Sequence, residues 1–241
     1  MIKKILRYLD LDEYDQKAVC EPAILNLVLF YFVLVCCICS QGLKSVTIIT
    51  AIEAAVPFIV LAIAIRFLMN FFRNFSKAVM QYPRYKRNMS NMPTTELLLW
   101  SNDEMPKVEK KNIRNKILVK YGVELLSEKA EKKDEKTARQ LIADVVSRIR
   151  ADIRNNKNTD KMYLHYNIQY GSSRNFFGGG LLCISAELLV ILLFTFFSIV
   201  SPLAWIIFAL HSLFVIVCFF MIPARAKEYA SFIYTEFLRL Y

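Results

Sequence analysis

Three ionisable side chains interrupt stretches of the sequence that are otherwise apolar: Glu53, Glu187 and His211. A carboxylate or an imidazole inside a membrane is energetically costly, so such residues face a bundle interior or a water-filled cavity. At about 1.5 Å per helical residue, Glu53 lies about 10 Å and His211 about 12 Å from the same membrane surface, with Glu187 lower, near the middle. We therefore predict that the three residues form a polar site in the membrane interior.

Three interpretations of this polar site stay open. In the first, its side chains form hydrogen bonds between helices and fix their packing, with the glutamates protonated. In the second, they line a conduction path in an oligomer. In the third, they take part in proton-coupled transport or catalysis, although one short chain offers fewer helices than secondary transporters use.

A run of three glycines opens the apolar stretch that contains Glu187, at Gly178, Gly179 and Gly180. Glycine weakens a helix, so three in a row call for a structural reason. One is close approach of a neighbouring helix, and the other is a hinge between the membrane part and the soluble part of the chain. The run is not a phosphate-binding loop, because no Gly-Lys-Ser/Thr follows it.

Four apolar stretches are close to the length of about 20 residues that a helix needs to cross a bilayer. Two short turns, at 40–45 and 201–202, join them into two pairs. The predicted fold is therefore all-α, a polytopic membrane protein in which two transmembrane helical hairpins flank a cytosolic helical domain. The four predicted spans cover residues 23–39, 46–65, 177–200 and 203–222.

The distribution of Lys and Arg predicts the orientation of these spans. The two hairpin turns carry one lysine, Lys44, whereas the segments on the other side are rich in basic residues. By the positive-inside rule, both termini and the central domain are cytosolic, in a multi-pass protein of the inner (plasma) membrane. The predicted segments are a cytosolic amphipathic N-terminus at 1–22, a first hairpin with a helical extension at 23–72, a basic cytosolic helical domain at 73–175, a second hairpin at 176–222 and a cytosolic C-terminal tail at 223–241.

The central segment carries the whole of the formal net charge of +10. Much of its basic charge follows the second span, where anionic lipid headgroups attract Lys and Arg. Lysine and arginine also neutralise phosphates, so nucleotide or nucleic-acid binding stays open as the less favoured alternative. The residues that we predict to contact lipid headgroups are Arg66, Arg73, Lys77, Arg84, Lys86 and Arg87.

Helical periodicity organises the rest of the central segment. Pro106 suits the first position of a helix that Gly122 would close. A long charged helix is predicted over residues 128–155, in which the run at 128–136 forms a solvated face. Five apolar residues recur at helical spacing along it and predict a buried stripe: Leu141, Ile142, Val145, Ile149 and Ile153.

The order of hairpin, charged helical segment and hairpin resembles the four-helix membrane effectors associated with nucleotide-signalling systems of bacterial anti-phage defence. The stretch from Ala138-Arg139-Gln140-Leu141-Ile142 to Arg148-Ile149-Arg150 is similar to the long cytosolic helix of those proteins. The resemblance covers the whole chain in architecture but only a short stretch in sequence, so no functional residue carries over. It implies a protein that senses infection or a nucleotide signal in the cytosol and then perturbs the inner membrane.

Common catalytic motifs such as His-Glu-x-x-His, Gly-x-Ser-x-Gly and the Walker loop are missing from the sequence. We therefore expect a non-enzymatic, oligomeric membrane effector or sensor with no cofactor or bound metal. Its expected partners are membrane lipids, further copies of the chain, and a soluble protein or nucleotide signal. Two alternatives are a membrane anchor or scaffold that recruits a soluble enzyme through its basic domain, and a small channel or transporter.

Overall fold

The computed structural model describes residues 11–40, 58–157, 159–197 and 200–240. These residues form helices and no β-strand, which confirms the all-α prediction. The helices are α1 (Glu21–Cys39), α2 (Phe58–Ser76), α3 (Tyr82–Tyr85), α4 (Pro93–Glu96), α5 (Lys107–Tyr121), α6 (Glu128–Lys133), α7 (Glu135–Asn155), α8 (Asp160–Phe197) and α9 (Pro202–Leu240), with π-helical segments at Asp15–Cys20 and Lys77–Gln81.

Within the described residues, three helical stretches are long and apolar enough to cross a membrane: Asp15–Cys39, Asp160–Phe196 and Pro202–Leu240. They support a membrane-embedded protein. Most of the predicted second span, and Glu53 with it, lies outside the described residues. The arrangement of four spans in two hairpins therefore stays a prediction, as do the orientation and the identity of the membrane.

The chain divides into two compact units, each built from two separate segments. The first, which we refer to as the membrane unit, consists of Met1–Val79 and Gly171–Met221. The second, the helical domain, consists of Met80–Tyr170 and Ile222–Tyr241. Helices α8 and α9 each contribute residues to both units.

The helical domain has a hydrophobic core to which α7 and the last part of α9 both contribute. Four residues of the predicted α7 stripe are buried, while Leu141 is partly exposed. The core also includes Tyr229, Ile233, Tyr234 and Phe237 of α9, which we had predicted to lie in a separate C-terminal tail. Tyr229, Ile233 and Phe237 are four residues apart and Tyr234 follows Ile233, so they share a second apolar face of α9 beyond the membrane stretch, and this face is buried in the domain.

Helices α8 and α9 are longer than the sequence predicted. The sequence predicts a span that begins near residue 177, but α8 begins at Asp160, is continuous for 38 residues and passes through the three glycines. Helix α9 is continuous for 39 residues and contains Pro223. Proline in a helix interior removes one backbone hydrogen bond, and α9 stays helical on both sides of Pro223.

Two helix ends in the domain follow from local chemistry. Helix α5 ends as predicted, because Gly122 adopts the left-handed conformation with φ of 65°. The single helix predicted over 128–155 is instead two helices separated at Asp134. The Asp134 carboxylate accepts a hydrogen bond from the Thr137 amide at 3.0 Å and so caps α7. Hydrogen bonds from the Thr137 hydroxyl and amide lower the pKa of Asp134.

Candidate functional site

The membrane unit contains a buried pair formed by His211 of α9 and Glu187 of α8. The Nδ1 atom of His211 lies 2.6 Å from Oε1 of Glu187, and both side chains are completely inaccessible to solvent. We had placed His211 at the depth of Glu53 and Glu187 lower in the membrane. The structure brings His211 and Glu187 into contact, whereas Glu53 lies outside the described residues.

A third residue, Asn26 of α1, completes the site. Its Oδ1 atom lies 3.0 Å from Nε2 of His211, and its Nδ2 atom donates to the backbone carbonyl of Phe176 at 3.3 Å. Asn26 is fully buried, so the hydrogen bonds connect α1, α8 and α9 inside the membrane unit. Asn26 is not ionisable and was absent from the predicted site, although it is the one amide side chain in the apolar stretch 22–39.

The orientation of Asn26 determines which ring nitrogen of His211 carries hydrogen. The carbonyl oxygen of Phe176 can only accept, so the NH₂ group of Asn26 points toward Phe176 and its oxygen toward His211. An amide oxygen also only accepts, so Nε2 of His211 is the donor in that contact. Asn26 therefore fixes a proton on Nε2 and leaves Nδ1 to interact with Glu187.

The two carboxylate oxygens of Glu187 differ in their hydrogen bonding. Oε2 is buried and has no hydrogen-bond partner among the described residues. An unsatisfied carboxylate oxygen in a membrane interior carries a large desolvation cost. The site therefore has one carboxylate oxygen in contact with His211 and one without a hydrogen-bond partner among the described residues.

The three glycines of α8 pack tightly against neighbouring helices. A Cβ atom on Gly178 would overlap Ser76 of α2, and one on Gly180 would overlap Val215 of α9. A Cβ atom on Gly179 would press on Asn26 of the site. Close helix approach thus accounts for the glycines, and a hinge at the same residues stays a prediction.

A second polar layer of the membrane unit lies toward the start of α1. The Nδ2 atom of Asn175 donates to the carbonyl of Ala18 at 2.5 Å, in the π-helical segment that precedes α1. Arg73 forms an ion pair of 3.0 Å with Asp15. Burial, together with the charges of Arg174 and Arg73, lowers the pKa of Lys77. These contacts use part of the basic charge that we predicted to face lipid.

The other predicted headgroup residues occupy varied surroundings. Arg66 and Lys86 are exposed. In the helical domain, the guanidinium of Arg84 lies 5.9 Å from the ring centre of Tyr85, and that of Arg87 lies 5.7 Å from the ring centre of Tyr82. Arginine stacked on tyrosine suits a membrane surface. Their contact with lipid headgroups stays a prediction.

The helical domain buries charged residues that the sequence argument placed in solvent. Glu131 belongs to the run predicted as a solvated face, yet it is only 3% exposed and pairs with Arg114. Oε1 of Glu131 accepts a hydrogen bond from the backbone amide of Trp100 at 2.6 Å. The guanidinium of Arg114 lies 4.4 Å from the ring centre of Trp100. This cluster joins three segments of the domain and has a structural role.

An open groove lies on the surface of the helical domain, between its α8 and α9 segments. Its volume is about 780 Å³. Tyr166 and Phe232 stack with ring centres 4.8 Å apart, and Gln169 links His165 and Arg225 through hydrogen bonds of 2.9 and 3.0 Å. Phe232 is buried and Tyr166 is half-buried, so the groove presents the edge of Tyr166 beside hydrogen-bonding and basic groups.

The described residues contain no cluster of three or more His, Cys, Asp or Glu side chains that could hold a metal ion. No protein-family model, curated protein or solved structure matches the chain. Function must therefore be inferred from the geometry of the chain itself, and the buried site of Asn26, Glu187 and His211 is its most distinctive chemical feature.

Proposed function

We propose that this protein is a non-enzymatic, oligomeric membrane effector or sensor that alters the permeability of the membrane in which it is embedded. The observation that carries the proposal is the buried pair of His211 and Glu187, bonded to Asn26 inside the membrane unit. Ionisable groups at such positions are expensive, and they mark ion pathways and proton relays in membrane proteins.

The proposal includes assembly of several copies. The membrane unit offers few helices from one chain, and a bundle of so few helices has little space for an aqueous path. Many large apolar side chains on α8 and α9 are exposed, among them Leu189, Phe196 and Leu210. Such surfaces pack against lipid or against further copies of the chain. A ring of copies would create a path that a monomer lacks.

The helical domain is the proposed receiver of the signal. It has its own hydrophobic core, and its groove exposes aromatic, amide and basic groups. Because α8 and α9 each contribute to both units, a ligand or partner that shifts these helices in the domain would act on helices that carry Glu187 and His211. A role in bacterial defence is proposed on the resemblance of the layout alone.

The first test is the mass of the purified protein in nanodiscs. We expect a closed assembly of several copies, and a monomeric mass would overturn the conduction proposal. The second test is potassium efflux from liposomes that contain the full chain at high density. Glu187→Leu and His211→Leu should abolish this efflux, whereas Ser185→Ala, which removes only a hydroxyl bonded to its own helix on α8, should preserve it. Efflux that persists in both site variants would show that the pair takes no part in permeation.

An anchor or scaffold function is the second candidate, and the groove of the helical domain favours it. In that case Asn26, His211 and Glu187 serve to lock three helices together, and the domain binds a soluble protein. The matched experiment is co-purification with soluble proteins of the source cell, for the wild type and for Arg225→Glu in the groove. A partner lost only in the groove variant, from a protein that is monomeric and does not leak, would favour the anchor.

A further inference from the structure

We propose that Asn26, His211 and Glu187 form a binding site for protons, and that Oε2 of Glu187 is the atom at which a proton enters and leaves. The proposal rests on the proposed function and deepens it, because it names the ligand that the polar site of the membrane unit binds. It rests on the hydrogen-bond distances of the three side chains and on which of their atoms donate and which accept.

One proton is required between His211 and Glu187. Nδ1 and Oε1 lie 2.6 Å apart, a distance that fits a strong hydrogen bond and not two facing lone pairs. Since Asn26 already keeps a hydrogen on Nε2, this proton is shared between Nδ1 and Oε1. The pair is then neutral as a whole, either as imidazolium with carboxylate or as imidazole with carboxylic acid. A neutral pair is the form that a membrane interior favours.

Removal of the shared proton would leave the pair with one negative charge and place two lone pairs against each other. The contact between α8 and α9 would then open. Uptake of a second proton takes place at Oε2, the oxygen without a partner among the described residues. A hydronium ion donates that proton, an O–H bond forms on Glu187, and a water molecule leaves. The proton on Oε1 then stays with Nδ1, so that His211 becomes imidazolium beside a neutral carboxylic acid.

The same geometry disfavours a metal ion or a larger cation as the ligand. Both ring nitrogens of His211 have partners, so no imidazole lone pair is free to bind a metal. One carboxylate oxygen remains, whereas alkali and alkaline-earth cations need several oxygen ligands. A proton needs only one. The ligand class that fits Oε2 is therefore the proton.

Few other charges compete at this depth. The sequence has no other Asp, Glu, Lys or Arg in residues 22–39, 175–197 or 202–224, which cover the membrane stretches of α1, α8 and α9. Helix α2 contributes Arg66, which is exposed. Cys183, one turn before Glu187 on α8, interacts electrostatically with its carboxylate. Glu53 lies outside the described residues, so the infrared measurement below is made in a Glu53→Gln background, which removes its carboxyl group from the signal.

Asn26 is a positioning residue in this scheme, because it acts on the proton site through the ring of His211. Its amide directs the ring so that Nδ1 faces Glu187. Asn26→Leu would remove the acceptor for Nε2–H and release the preference for one tautomer. Asn26→Gln, which keeps an amide, should restore part of that preference. If Asn26 only fills space, the tautomer of His211 should not depend on whether residue 26 carries an amide.

The experiment uses the full chain in lipid nanodiscs. The ¹⁵N spectrum of labelled histidine reports the hydrogens on each ring nitrogen, and a His165→Gln background leaves His211 as the one remaining histidine. We expect Nε2 to be protonated in the wild type, and this preference to be lost in Asn26→Leu and partly restored in Asn26→Gln. Infrared spectra should show a buried carboxylic acid that grows as the pH falls and disappears in Glu187→Gln. Ser185→Ala, on the same helix, is the matched control.

Two results would overturn the proposal: Nε2 without hydrogen in the wild type, or a carboxyl band unchanged in Glu187→Gln. Proton uptake by liposomes that contain a pH-sensitive dye separates this inference from the proposed function. Spectroscopic evidence of the site without proton or potassium flux would support the proton site and contradict the permeability function. Potassium efflux without a carboxyl band that changes with pH would support the permeability function and contradict the proton site.

Discussion

Arg114 and Glu131 form an ion pair inside the helical domain, with NH2 of the arginine 3.0 Å from Oε2 of the glutamate. Their side chains are only 8% and 4% exposed, so the pair is shielded from solvent. The same arginine donates to the carbonyls of Leu98 and Leu126, both at 2.7 Å. The pair therefore organises the loop segments around α4, α5 and α6 and does not belong to a solvated surface.

We predict that Arg114→Leu destabilises the helical domain by about 3–5 kcal/mol, because it leaves the Glu131 carboxylate buried without a counter-charge. Arg114→Leu combined with Glu131→Gln should recover about 1–3 kcal/mol, since the amide still accepts from the backbone of Trp100. The free energy of unfolding in detergent measures both effects. Lys107→Ala breaks an exposed pair and should change stability by less than about 0.5 kcal/mol. Equal losses in the single and double variants would contradict the prediction.

We predict that Gly180→Ala destabilises the membrane unit by about 1–3 kcal/mol, the usual cost of overpacking. The new methyl group would overlap the side chain of Val215 on α9. Val215→Ala makes room for it, so the double variant should be more stable than Gly180→Ala alone. Unfolding in mixed micelles provides the measurement, with Leu189→Ala, at an exposed position on α8, as the control. If Val215→Ala gives no rescue, the tight packing at Gly180 does not limit stability.

We predict that Asn26→Leu costs about 1–3 kcal/mol of stability in the membrane unit. It removes the acceptor for Nε2–H of His211 and the donor to the carbonyl of Phe176, and hydrogen bonds between membrane helices contribute about 1 kcal/mol each. The same unfolding assay applies. Ser185→Ala removes a hydroxyl that donates to its own helix at Leu181, so it should have little effect. A loss of equal size in Ser185→Ala would mean that the assay does not resolve the site.

The stability of the helical domain should depend on pH through Asp152. Burial on its own would raise the pKa of Asp152, but hydrogen bonds from Lys120 and Tyr121 and the charge of Lys120 outweigh burial and lower it below 3.8. The ionised form is therefore favoured in the folded state, and its contribution is present at neutral pH. That contribution is lost as the pH falls from about 5 through the folded-state pKa.

Asp152→Asn tests this dependence. The difference in free energy of unfolding between wild type and variant should be largest near neutral pH and should shrink in acid. Asp144→Asn, at an exposed position on the same helix, is the matched control. A difference that grows as the pH falls would contradict the assigned direction of the pKa shift.

Periodicity explains what could be predicted from the sequence. The buried stripe of α7 was visible because Ile142, Val145, Ile149 and Ile153 repeat at helical spacing, and a glycine at position 122 marks a helix end. Both signals are local. They depend on which residues are near each other in sequence and require no knowledge of the packing partner.

Other features depended on contacts between distant segments. Glu131 lies in a charged run, and its burial follows only from Arg114, 17 residues earlier in the sequence. Asn26 gains its role from His211, 185 residues away. The apolar face at Tyr229–Phe237 directly follows the membrane stretch of α9. Because both are apolar, the sequence does not show where the helix begins to pack in the core of the helical domain.

The division of the helical domain between residues 80–170 and 222–240 has a consequence for synthesis on the ribosome. Its first segment emerges before the membrane stretches of 171–221, yet the core is complete only after Tyr234 and Phe237 are made. At about 5–20 residues per second, roughly 4–14 s pass between synthesis of the first segment and synthesis of the α9 residues that complete the core. The core of the helical domain is therefore completed by residues that are synthesised after the apolar stretches of α8 and α9.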